Sequence, residues 1–267
     1  GGGKGGGGKG GGADDEVRVR MAAPSNDRLE SLAARVSILL SEARDRVRPT
    51  HFVSIPLLEP TMQQRAATFV EQVRQQYGGG GGLADEMLME PRRFHLTMCM
   101  LKLLSGSEVQ RARRCLRAAA PKFQALLAAG GGARLRLRGL EYMNDDPSDV
   151  DVLYSKVGDG PAHEALQALW RDVRNALESD GLLAADEAQT DLSGALKAHA
   201  TLINSRWRRA AAGGARQSFD ASGLLRSHAE FDFGEASLSQ LHLSRLAGPL
   251  DRETGYYHCE EEVRLVA

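Results

Sequence analysis

The tetrad histidine, apolar, threonine, apolar occurs twice in this chain, as HLTM at 95–98 and HATL at 199–202. Each copy sits in a short apolar run, FHLTMCMLKLL and KAHATLIN, with the length and composition of a β-strand. Successive strand side chains point to opposite faces, so His95 and Thr97 share one face while Leu96 and Met98 take the other. His199 and Thr201 repeat the arrangement. With seven histidines and as many threonines, random placement gives about 0.2 His-x-Thr matches, so two are not an accident of composition. Any fold must therefore give both strands one packed face and one polar face.

The flanking segments run in the same order twice. From His51 come a strand at HFVSIPLL, a helix through TMQQRAATFVEQVRQQYG, the first tetrad strand, a helix at SGSEVQRARRCLRAA and a strand at ARLRLRGLEYM. MNDDPSD carries turn chemistry and closes a hairpin into the second series. That series has a strand at VDVLYSKV, a helix through GPAHEALQALWRDVRNALESDG, the second tetrad strand and a basic loop, WRRAAAGGAR. A short helix near DASGLLRSH and a strand at SLSQLHLSRL follow, and a last strand, YYHCEEEVRLV, has no counterpart. Two strand-helix-strand lobes related by a pseudo-two-fold, their polar strand faces lining one cleft, account for the order.

Upstream, residues 1–15 form a glycine-rich tract that cannot bury apolar surface and reads as a flexible tail. EVRVRM is a short strand. The helix SNDRLESLAARVSILLSEARDRV places Leu29, Leu32, Val36 and Leu39 or Leu40 on one stripe. Ser25, Asn26 or Asp27 is its N-cap, and Pro49 stops it.

Bulk charge argues for no particular partner. The net charge is −1, and 42% hydrophobic with 26% charged residues suits a soluble, intracellular globular chain. No apolar stretch approaches membrane-spanning length, so no membrane partner is expected. The three cysteines, Cys99, Cys115 and Cys259, form no CxxC pair and read as reduced thiols. Local basic sites are Arg134, Arg136 and Arg138 on one strand face and Arg208, Arg209 and Arg216 in the basic loop. Either set suits an RNA backbone, although a solvated face is the commoner use of such residues. Lys197 precedes His199 by two and shares its face, as a candidate phosphate contact. Tyr142 and Tyr154 suit base stacking or core packing. His51, His163, His228, His242 and His258 lack the spacing of a metal pair, so neither a metal nor another cofactor is expected.

Paired His-hydrophobic-Thr-hydrophobic motifs resemble those of the 2H phosphoesterases. That superfamily includes LigT-like RNA ligases, cyclic phosphodiesterases and the phosphoesterase-like domains of certain kinase-anchoring proteins. The resemblance covers residues 50–267. It implies an α+β, bilobal LigT-like fold, with two pseudo-symmetric lobes of antiparallel strands and outer helices around a central cleft. THFVSIPL, GLEYMNDDPSDVDVLYSKV, LKAHATLIN, RQSFDASGLL, LHLSR and GYYHC resemble the members that are subunits of activating-signal-cointegrator-like complexes. This implies a helicase and other subunits as partners, a nuclear (or also cytoplasmic) location, and a part in transcription and in repair of alkylated nucleic acid. Residues 16–49 are similar to the last strand and helix of a KH module, a KH-like remnant. Gly3-Lys4-Gly5-Gly6 meets that module's GXXG pattern only as any glycine run does.

Cleaving a phosphodiester or a 2′,3′-cyclic phosphate needs a base for the attacking oxygen and an acid for the leaving oxygen. His95 and His199 titrate near neutrality and serve both tasks without a metal. Thr97 and Thr201 would donate to the non-bridging oxygens. The expected activity is phosphoester hydrolysis at RNA or nucleotide ends. The alternative is a non-catalytic adaptor subunit that binds RNA or nucleotide phosphate ends through the same four residues.

Overall fold

The structure, a computed structural model, describes residues 20–78, 83–130, 134–184, 190–191, 193–208 and 217–266. The glycine-rich tract, most of EVRVRM, Arg209 and Arg216 lie outside the described residues.

Among the described residues, apolar residues of alternating or continuous pattern build eight strands. These are β1 (His51–Pro56), β2 (His95–Leu101), β3 (Arg134–Tyr142), β4 (Val152–Val157), β5 (His199–Asn204), β6 (Asp232–Ser237), β7 (Gln240–Arg245) and β8 (Cys259–Arg264). All pair antiparallel in one sheet of order β6-β3-β4-β5-β2-β1-β7-β8. The two tetrad strands, β2 and β5, lie side by side at its centre. Outward from them run two sets of four strands, β2-β1-β7-β8 and β5-β4-β3-β6. The pseudo-two-fold thus matches β1 with β4, β2 with β5, β7 with β3 and β8 with β6.

Two features differ from the sequence reading. The lobes are not contiguous in sequence, because β3 joins the strands of the second series and β7 those of the first. The last strand also has a counterpart, β6, whose sequence DFGEAS is interrupted by Gly234 and reads poorly as a strand.

Among the described residues five α-helices accompany the sheet: α1 (Asn26–Arg46), α2 (Pro60–Tyr77), α3 (Gly106–Gly130), α4 (Pro161–Ser179) and α5 (Ser222–His228). In α2, Met62, Ala66, Phe69, Val70 and Val73 recur at helical spacing and are buried. Phe69 packs on Phe233 of β6, ring centroids 5.4 Å apart. In α4, Ala165, Leu166, Leu169, Trp170, Val173 and Leu177 form the buried stripe. α3 runs past its expected end near Ala119 and through Pro121, because Ala120 and Phe123 extend its buried face. α1 buries no residue, and Leu39 and Leu40 of its apolar stripe are exposed. It is held at its last turn, where Arg44 pairs with Glu108 at 2.6 Å. Among the described residues no helix is long and apolar enough to cross a membrane.

The centre of the sheet is irregular at both tetrads. Between β1 and β2, Ser54 is opposite Thr97 and Val53 opposite Cys99, so Met98 is an extra, bulged residue. Between β4 and β5, Tyr154 is opposite Thr201 and Leu153 opposite Ile203, which makes Leu202 the bulged residue. The fourth position of each tetrad is therefore a bulge. Both side chains are buried. A bulge frees a carbonyl from the ladder, and each is satisfied from outside it. Trp170 Nε1 donates to Met98 O at 3.1 Å, and Met89 N donates to Leu202 O at 2.8 Å.

Candidate active site

β2 and β5 are joined through the pair Leu96 and Ala200, both buried. Their neighbours His95, Thr97, His199 and Thr201 all alternate onto the opposite face of the sheet. The segments that follow α2 and α4 pair with these strands beyond that point, Leu88 with Ile203 and Leu183 with Leu101. Two short bridges, one from each lobe, thus brace the tetrad strands.

The two imidazoles are anchored alike. His95 Nδ1 lies 2.6 Å from the Arg93 carbonyl, and His199 Nδ1 lies 2.7 Å from the Lys197 carbonyl. A carbonyl only accepts, so in both rings Nδ1 carries the proton and Nε2 is the basic nitrogen of the neutral ring. His95 Nε2 is 3.0 Å from Thr97 Oγ1, and a neutral ring makes the hydroxyl the donor.

Their surroundings differ. His95 is boxed by aromatic rings, with Phe52 at 5.1 Å, Tyr257 at 5.6 Å and Tyr256 at 6.2 Å between centroids. Desolvation in this box pushes its pKa down to about 4, the Arg93 carbonyl opposes the shift, and the charge of His199 adds to it. His199 meets the edge of Tyr154 at 5.2 Å, and Tyr154 donates its hydroxyl to Glu141 at 2.8 Å.

Lys197 precedes β5, with Nζ over the Tyr154 ring at 5.3 Å. The structure brings it to the same tyrosine that borders His199. Lys156 of β4 is the cross-strand neighbour of His199, partly exposed and 3.7 Å from Glu141. Arg93 lies over the Tyr257 ring at 5.9 Å. Sequence reasoning missed Lys156, Phe52, Arg93 and Tyr257 as neighbours of the tetrads. Phe52 had a faint signal, its alternation with Ser54 in THFVSIPL.

Other charged candidates lie apart from the tetrads. Arg134, Arg136 and Arg138 are exposed but pair with Glu235, Asp232 and Glu230 at 3.0, 2.8 and 3.3 Å, the pattern of a solvated face. Arg208 donates to Gln217 at 2.7 Å. Tyr142 packs against the core. His163 lies beside Gln167 and Asp159, His228 packs on Phe69, His258 lies near Glu260, and His51 and His242 are buried within the sheet. Among the described residues no group of three or more His, Cys, Asp or Glu is arranged to hold a metal ion.

Comparison with known proteins extends the geometry. Residues 49–265 match the AKAP7 2′5′ RNA ligase-like domain. The mouse protein "Activating signal cointegrator 1 complex subunit 1" is 32% identical over 230 residues, covering 80% of this chain and 63% of the relative. The chain thus spans less than two thirds of that relative's length. Among solved structures, TT0787 of Thermus thermophilus has 18% identity and TM-score 0.50, over 81% of this chain and 97% of that one. E. coli LigT complexed with 3′-AMP has 13% identity and TM-score 0.48, over 81% and 97%. The chain belongs to the AKAP7 2′5′ RNA ligase-like family of 2H phosphoesterases.

Proposed function

We propose that the protein is a metal-independent phosphoesterase acting on RNA or nucleotide ends through acid–base catalysis by His95 and His199. The observation that carries this reading is the matched anchoring of the imidazoles. Each Nδ1–H is held by the carbonyl two residues upstream, at 2.6 and 2.7 Å, which fixes the tautomer in which Nε2 is the basic nitrogen of both neutral rings. His95, neutral in its aromatic box, takes the proton from the attacking hydroxyl or water. His199 delivers a proton to the leaving oxygen, and the roles exchange in the reverse direction. When the phosphate binds, Thr97 turns its single hydroxyl proton from His95 Nε2 to a non-bridging oxygen, and Thr201 donates to another, where charge builds in the transition state. The ammonium groups of Lys197 and Lys156 add positive charge at the His199 end.

The mouse relative's name supports a second part of the proposal. The chain works as a subunit of an activating-signal-cointegrator-like complex, with a helicase among its partners, in the nucleus, in transcription and alkylation repair.

Incubating the protein with short RNAs ending in 2′,3′-cyclic phosphate, 3′-phosphate or 3′-hydroxyl, with and without EDTA, tests the chemistry. Turnover that survives chelation is expected. Tight binding of these ends with no cleavage would replace the enzyme by an adaptor that uses the same four residues to hold a phosphate.

A further inference from the structure

A groove of about 1050 Å³ begins at the wall of the His95 box and runs between α2, the segment before β2 and Trp207. Two of its lining residues belong to the His95 surroundings. Arg93 gives its carbonyl to His95, and Tyr257 meets the His95 ring edge-on. The volume is ample for one nucleoside. Its aromatic walls, Trp207 and Tyr257, are half-buried, so each presents ring surface to an occupant.

The charge of this groove is of the wrong sign for a nucleic-acid strand. Four carboxylates line it against the guanidinium groups of Arg74 and Arg93. Arg74 is already engaged, by Glu71 at 3.1 Å and Asp85 at 3.3 Å. Glu86 and Glu90 have no ion pair among the described residues and leave the groove net negative. A continuing strand brings another negative charge with every nucleotide and would be repelled. A lone nucleoside brings none. It offers a flat base for the aromatic walls, and exocyclic amino groups of the kind a carboxylate accepts. The opposite end of the site has the opposite sign. β5 runs from the Lys197 end to the Trp207 end, and Lys197 and Lys156 both lie beside His199.

We propose that this groove is a terminal-nucleoside subsite, so that the protein acts on the last phosphodiester of a chain and reads the direction of that end by charge. The strand leaves past Lys197 and Lys156. Its final nucleoside, carrying no further phosphate, occupies the groove. The inference rests on the phosphoesterase reading and adds a substrate polarity to it.

Three dinucleoside monophosphates test it: one with no end phosphate, one with a 5′-phosphate and one with a 3′-phosphate. In the parent, only one of the two end phosphates is expected to lower kcat/KM at least tenfold, and the other to leave it unchanged or raise it. In the Glu86→Gln, Glu90→Gln double variant, at least threefold of that loss should return. Equal tolerance of both end phosphates, or a penalty unchanged in the double variant, overturns the subsite. If the parent cleaves none of the three, the phosphoesterase reading fails instead. The groove is then judged by Trp207 fluorescence, with Trp207→Phe as the blank. Quenching by adenosine but not by adenosine 3′,5′-bisphosphate upholds the subsite, and no quenching by adenosine overturns it. An oligolysine peptide that displaces adenosine at lower concentration than adenosine itself binds would assign the groove to a basic protein segment, and would also overturn it.

Discussion

A histidine that accepts a proton at neutral pH must be uncharged before the substrate arrives, and the box around His95 enforces that state. Phe52, Tyr256 and Tyr257 withhold water from the ring, and its pKa falls to about 4. On the proposed mechanism the acid limb of kcat/KM therefore lies near pH 4, well below the usual imidazole value, and activity rises as pH climbs through it. His95→Ala should remove that limb and lower the rate by about 10²–10⁴. His199→Ala should remove the alkaline limb at similar cost, and the double variant should lose little more. An acid limb that stays in place in His95→Ala would strip His95 of the role of base. Thr97 offers a second measurement. Removing a single donor to a charged transition state costs on the order of 10² in kcat, so Thr97→Ala should be impaired to that extent and Thr97→Ser much less. At this scale the tetrads were legible, because alternation along one strand is a local property. Phe52 was so only faintly and Tyr257 was not, since what makes them neighbours of His95 is strand pairing and a loop far along the chain.

At the scale of elements, the two tetrads are more than polar residues on a strand. Each ends in a bulge, at Met98 and at Leu202, and each bulge carbonyl is taken by a donor from elsewhere in the fold. The burial pattern of β2 records the phase shift: Leu96 and Met98 are buried in alternation, then Cys99 is buried as well. No reading of alternation anticipates this, since a bulge depends on the partner strand. The indole of Trp170 therefore ties α4 to the β2 backbone immediately after Thr97. Trp170→Phe keeps most of the packing and deletes the donor, which leaves Met98 O buried and unpaired. A loss of about 1–3 kcal/mol is expected in urea melts, with a further fall in kcat because the bulge sets the angle of Thr97. If stability drops while kcat holds, the bulge matters to folding alone. β6 was missed for a related reason: DFGEAS is held as a strand by pairing with β3 and packing Phe233 on Phe69, not by its own propensity.

For the whole molecule, the exchange of β3 and β7 between lobes explains why two similar series form one sheet and not two domains. Neither series can close its half without a strand from the other. The order of elements was readable from periodicity, but this exchange was not, because strand patterns carry no address of their partner. The same interleaving takes several histidines wholly or partly out of water. His51, His95, His228 and His242 all have pKa values below the ordinary imidazole value, with desolvation the largest cause in each. The unfolded chain then binds protons more tightly than the folded one. Stability should be full above about pH 6.5, the unfolded value, and should decline as pH falls toward the folded values, the His95 one being about 4. Each proton taken up on unfolding steepens the fall by about 1.4 kcal/mol per pH unit. Aspartates and glutamates take up protons toward the low end of the window from about pH 6.5 to 4.5, in parent and variant alike, so the difference between the two curves isolates a histidine. His242 is the cleanest probe. Neither of its ring nitrogens has a hydrogen-bond partner among the described residues, it lies outside the tetrads on β7, and Glu262 at 3.9 Å only partly offsets its desolvation. His242→Leu replaces a buried polar ring with an apolar side chain, so stability at pH 7 should hold or rise. Its urea midpoint should fall less between pH 6.5 and 4.5 than that of the parent. Parallel curves for the two proteins would mean that His242 takes up no proton on unfolding, and that the acid sensitivity belongs to the other three.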